Sequence, residues 1–137
     1  MFSDFDEYLK LPLPSDHWYD VGVEYVSGLV EKFQDSDWQA LSDALCDRPA
    51  EWRTKCAEAI DVSSNKSAMH ILLNLLAAPE DDVVIAAADS LRSREVLKNV
   101  VSEDEIARLR KIMAVGSPPA RAVVGDLLNK LNREQLG

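Results

Sequence analysis

Cysteine, histidine and glycine are scarce in this chain, and each scarcity removes a class of chemistry. Of 137 residues, two are cysteine, two histidine and five glycine. Cys46 and Cys56 form no CxxC pair and sit among apolar residues at helical spacing, so they read as reduced core residues of a cytoplasmic protein. His17 lies beside a predicted helix cap, and His70 shares a polar stripe with Lys66 and Asn74; neither has a catalytic partner at fixed spacing. The glycines never gather into a phosphate-cradling loop, and no HExxH, GxSxG or Walker pattern occurs. A non-enzyme without cofactor or metal is therefore expected. Long apolar runs are missing too. The most apolar stretch, Met69 to Ala78, is broken by His70 and Asn74 and is about half of what a bilayer requires. Residues 1–7 have no basic n-region and no apolar h-region, so no secretory signal is expected.

What is present fits a globular fold. Hydrophobic residues make up 47% and charged residues 28%, well away from the disordered regime. A chain of this length buries roughly two thirds of its unfolded surface and needs no disulfide or metal to do so. The net charge of −9 is unevenly spread: residues 1–61 carry fourteen acids and five bases, residues 62–137 ten of each. A negative field of that kind repels nucleic acid and anionic lipid and attracts a basic partner.

Punctuation divides the chain into helices. The Leu11-Pro12-Leu13-Pro14 stretch predicts an extended segment over 1–14. Ser15 or Asp16 then caps a helix over 15–34, whose apolar face is Trp18, Tyr25, Val26, Leu29, Val30 and Phe33. Ser36 with Gln39 reads as a capping box opening a second helix through Trp38, Leu41 and Leu45, and Pro49 starts a third with Trp52, Cys56, Ala59 and Ile60 inward. The fourth, from about Lys66, is apolar over most of its circumference and is expected to be the most buried. Pro79 begins the fifth, Ser102 with Glu105 caps the sixth, and Gly116 and Pro118 separate it from the seventh. The acids Glu80-Asp81-Asp82 and Glu103-Asp104-Glu105 suit a divalent cation, but each run sits in a first helical turn, where the helix dipole favours acids on structural grounds. No segment alternates with period two, so the expected fold class is all-α, with antiparallel helix pairs over 36–61, 64–93 and 102–133 in one domain.

Three helices share an ending of two small or apolar residues, an acid, and two more small or apolar residues: Cys56-Ala57-Glu58-Ala59-Ile60, Ala87-Ala88-Asp89-Ser90-Leu91 and Val124-Gly125-Asp126-Leu127-Leu128. The middle copy, running from Pro79 to Leu91, resembles the second helix of a HEAT repeat. That resemblance implies a short HEAT-like α-solenoid with the first helix as cap and a broad face for binding.

The acids of the first half are patterned. Asp16, Asp20, Glu24 and Glu31 follow one face of the first predicted helix, and Asp35, Asp37, Asp43 and Asp47 continue the acidity into the next hairpin, whereas like charges four residues apart weaken a helix slightly. An ordinary acidic surface remains the alternative. Tyr19 falls out of phase with the apolar face and is expected beside the acids as an aromatic anchor. Size, acidity and the tryptophan-rich stretch from Trp38 to Trp52 resemble bacterial immunity proteins of contact-dependent inhibition and related polymorphic toxin systems. The resemblance implies a cytoplasmic antidote that binds a toxin domain, often a nuclease and therefore basic. The eight patterned acids and Tyr19 are the residues expected to meet it, and the charge and hydropathy leave no membrane or nucleic-acid partner expected. The competing expectation is a HEAT-like adaptor for host proteins. A base-excising glycosylase needs a basic groove, and Arg108, Arg110, Lys111 and Arg121 are too few for one.

Overall fold

The computed structural model of the chain describes residues 1–94 and 101–136. Among them every regular element is helical and no strand occurs. The chain divides into two compact units, residues 1–71 and residues 72 onward.

The first unit begins with a helix that the prolines conceal. Residues 2–9, expected to be extended, form α1 (Phe2–Leu9), and the non-helical stretch before the next helix begins only after the Lys10 cap, over Leu11 to Pro14. The correction follows from spacing: Phe2, Phe5 and Leu9 recur at three and four residues, and proline restrains only the residue before it. Phe5 is fully buried and Leu9 nearly so, with Phe5 edge-on to both Phe33 and Trp52.

α2 (Ser15–His17) runs through a π turn (Trp18–Gly22) into α3 (Val23–Glu31). In the π turn the Val23 amide donates to the Trp18 carbonyl, so the turn holds one extra residue. That residue rotates Trp18 onto the face of Gly22, Val26 and Val30, all buried. Tyr25, expected in the core, is turned out and is 48% exposed.

α4 (Asp35–Ala44) starts two residues earlier than the Ser36–Gln39 pattern predicts. Its capping box pairs Gln34 with Asp37. A tight 3-10 turn (Leu45–Asp47) leads into α5 (Ala50–Ala59). Cys46 sits in that turn, one residue past the buried Leu45, and is exposed; only Cys56 is the expected core thiol. α3 lies on α5, and α1 is the common neighbour of α3, α4 and α5. Ser27 ties the first pair, its hydroxyl donating to the Ala59 carbonyl at 3.0 Å.

α6 (Lys66–Leu75) buries Ala68, Ile71, Leu72, Leu73 and Leu75 and leaves Lys66, His70 and Asn74 exposed. In the second unit α7 (Asp81–Arg92) and α8 (Glu103–Val115) both pack on α9 (Pro118–Leu136). The acids expected in first turns are there: Asp81 and Asp82 in α7, and Glu103, Asp104 and Glu105 in α8. Ser102 and Glu105 close the predicted capping box. Ala87, Ala88 and Leu91 of α7 and Ala120, Val124 and Leu127 of α9 are buried. Above them Arg92 bridges Asp89 and Asp126 at 2.6 Å each.

Candidate functional site

The nine acidic and aromatic positions singled out in the sequence divide into two groups. Asp16, Tyr19, Asp20, Glu24, Glu31, Asp35, Asp43 and Asp47 are exposed, whereas Asp37 is partly buried. The π turn decides how the first of these align. A regular helix advances about 100° per residue, so residues four apart drift by about 40°. With an extra residue in the turn, Asp16, Asp20 and Glu24 fall nearly in line along the outer face, and Glu31 continues the ridge two turns on. Single-turn π bulges of this kind recur at functional sites.

Asp37 does something else. One carboxylate oxygen accepts the Phe2 amide and the other the Gln34 amide, both at 2.9 Å. These bonds, the Gln34 amide first, hold its carboxyl below the usual carboxylate range. The side chain thus clasps the starts of α1 and α4 together. Asp43 accepts from the Gln39 side chain within α4 at 2.9 Å, and Asp47 stands in the turn beside Arg48.

Tyr19 is 60% exposed, yet its hydroxyl is fixed, donating to Glu58 Oε2 at 2.8 Å. That bond, followed by burial and the carboxylate charge, raises the phenol pKa. The other Glu58 oxygen accepts from Trp18 Nε1 at 3.3 Å, and Lys55 stands 5.8 Å from the centre of the Trp18 ring. Glu58 therefore holds a buried tryptophan and an exposed tyrosine side by side on the flank of the acidic ridge.

The other flank was not foreseen. Val21 is 53% exposed, and Tyr25, four residues on, packs against Tyr8 of α1 with ring centres 4.8 Å apart and planes tilted by 51°. Tyr8 reaches His17 Nε2 at 3.4 Å, and the close approach needs Gly22, where a Cβ would lie 2.9 Å from Trp18 and 3.3 Å from Tyr8. Only the phase shift in the π turn exposes this strip, and no feature of the sequence taken as a regular helix announces it.

A second cluster lies inside the unit. The Asp6 carboxylate, 8% exposed as a residue, accepts Arg48 Nε at 2.9 Å, Arg48 Nη2 at 2.7 Å and Trp52 Nε1 at 3.0 Å. Burial alone would raise its pKa, but the Arg48 bonds and charge, then Lys10, outweigh it and hold the carboxyl low. Both carboxylate oxygens are bonded, so the cluster is an internal brace tying α1 to Arg48 and to Trp52 of α5.

Among the described residues no group of three or more histidine, cysteine or acidic side chains converges as a metal site, and no helix is long and apolar enough to cross a membrane. Comparison with protein-family models, curated proteins and solved structures finds no match to this chain.

Proposed function

We propose that this chain is a binding protein that docks a basic protein surface, in the manner of an immunity protein neutralising a nuclease-type toxin domain. The observation that carries the reading is the alignment of Asp16, Asp20, Glu24 and Glu31 along one exposed helical face, with Tyr19 pinned beside them. Nuclease domains are basic because they grip phosphate, so an aligned row of carboxylates presents such a domain with a substitute polyanion. Steering by that field raises the association rate, and a rigid aromatic beside it adds residence time.

The test begins with the protein that copurifies from the native cell. A single basic domain supports the reading; a set of housekeeping proteins supports an adaptor instead. With that basic partner, Asp16→Lys, Asp20→Lys and Glu24→Lys together are expected to slow association in stopped flow by about one to three decades while helicity persists. The wild-type rate is expected to fall steeply with salt as the Debye length shrinks below about 8 Å. Reversing Arg108, Arg110 and Arg121 instead is expected to change little. An association rate indifferent to the first set of reversals and to salt would sink the reading.

A further inference from the structure

On the outer face of the π turn and α3, Val21, Tyr25 and Gly28 follow one another at four- and three-residue steps, beside the ridge of Asp20, Glu24 and Glu31. Gly28 lies inside the helix, where glycine is less favourable than alanine. The chain's own structure supplies no reason for it. Among the described residues no glycine has positive φ, and a Cβ built on Gly28 meets nothing within 4 Å. Gly22, by contrast, is required by Trp18 and Tyr8. A half-buried helical glycine whose Cβ direction is open, next to an exposed valine and an exposed tyrosine already held by its neighbour Tyr8, leaves room for a close approach of another backbone beside them.

From this geometry we infer that the Val21–Tyr25–Gly28 strip docks an amphipathic basic helix of the partner, with the partner's backbone passing closest over Gly28. The inference rests on the proposed binding function and specifies the shape of what is bound. Helix-in-groove recognition uses anchors at this spacing, and glycine permits close backbone approach. The carboxylates along one side of the strip fix the occupant's chemistry: an apolar stripe to cover Val21 and Tyr25, edged by lysine or arginine to meet Asp20, Glu24 and Glu31. Tyr25 needs little further ordering on binding, because its ring is already held against Tyr8.

The experiment uses the full chain and three synthetic peptides of equal charge: one with leucines on one helical face and lysines on the other, its scramble without an apolar face, and an oligolysine. Amide-resolved NMR titration is expected to show the amphipathic peptide binding tightest, with the largest shifts at Val21, Tyr25 and Gly28. Gly28→Leu, whose side chain enters open space, is expected to leave the fold intact and weaken that peptide by at least about tenfold. Gly28→Ala is expected to raise the melting temperature by about 2 to 4 °C, since it removes a helical glycine without a clash. A lowered melting temperature would show a structural need for the glycine and overturn the inference. Equal binding of oligolysine, or binding unmoved by Gly28→Leu but abolished by Asp20→Lys with Glu24→Lys, overturns the strip and leaves the acidic reading standing. If none of the three peptides binds, both fall. Self-association of the wild-type chain that Gly28→Leu abolishes would assign the strip to a second copy and also overturn the inference.

Discussion

Replacing Arg48 tests whether the N-terminal helix is braced as the geometry indicates. Asp6 on α1 receives two charge-assisted bonds from Arg48 and one from Trp52. Arg48→Met removes both guanidinium bonds and the guanidinium itself, whose central carbon lies 5.5 Å from the Trp52 ring centre, and leaves the carboxylate only Trp52 and Lys10. Removing one partner of a fully buried pair costs about 3 to 5 kcal/mol. Here the Arg48 side chain is 20% exposed, and Lys10 remains 3.4 Å from Asp6, so the expected loss is about 2 to 3 kcal/mol. Asp6→Asn keeps the shape and an acceptor for Trp52, and frees an arginine that can reach water, so its cost is smaller, about 1 to 2 kcal/mol. The double variant is expected to lose less than the two singles combined, because each removes the same interaction.

Urea unfolding followed by tryptophan fluorescence measures all three, and pH adds an independent check. The folded Asp6 carboxyl titrates below its ordinary value, so its contribution is present above the unfolded carboxylate value of about 3.9 and is lost as pH falls through the lower folded value. The stability gap between wild type and Asp6→Asn is therefore expected at pH 7 and to narrow below about pH 4. Asp37, also lowered, is common to both proteins and cancels. If Arg48→Met and Asp6→Asn both lie within about 0.5 kcal/mol of wild type at pH 7, α1 is not braced by this cluster.

Two further outcomes follow from single positions. Gly22→Ala would put a Cβ 2.9 Å from the Trp18 ring and 3.3 Å from Tyr8, so it is expected to destabilise by about 1 to 3 kcal/mol and to perturb the Trp18 and Tyr25 side-chain resonances; an unchanged urea midpoint would mean the π turn tolerates a wider gap. Cys46 is exposed and Cys56 fully buried, where burial pushes its thiol pKa up, so one equivalent of thiol is expected to react with Ellman's reagent in the native state and the second only on unfolding; two fast equivalents would contradict the packing of α5.

Helix existence was legible wherever punctuation and three-four spacing agreed, as in α6, α8 and α9, because caps and apolar stripes act locally. α1 was missed because two prolines drew residues 2–9 into the extended segment they govern only from Leu11 onward. The weak repeat was legible as a pattern, but the structure gives its acids a specific task. Glu58 holds Trp18 and Tyr19, while Asp89 and Asp126 are bridged through Arg92. Glu58 reaches from α5 to the π turn, whereas Asp89 holds Arg92 within α7 and Arg92 carries the tie across to Asp126 of α9. The repeat therefore marks helix–helix ties, and no repeated binding site needs to be read into it.

The candidate surface was half legible for one physical reason. A regular helix over 15–34 places Trp18 and Tyr25 on the same side, which makes Tyr25 a core residue and leaves the outer face to acids alone. Burying Trp18 together with Val26 and Val30 instead requires one extra residue in the turn between them. That turn is accommodated where Gly22 lets Trp18 and Tyr8 close in. The same residue rotates Tyr25 outward against Tyr8 and draws Asp16, Asp20 and Glu24 into line. Packing of a single tryptophan thus sets the geometry of both the apolar strip and the acidic ridge, and a mutation that restores a regular helix at Gly22 would be expected to disperse the two together.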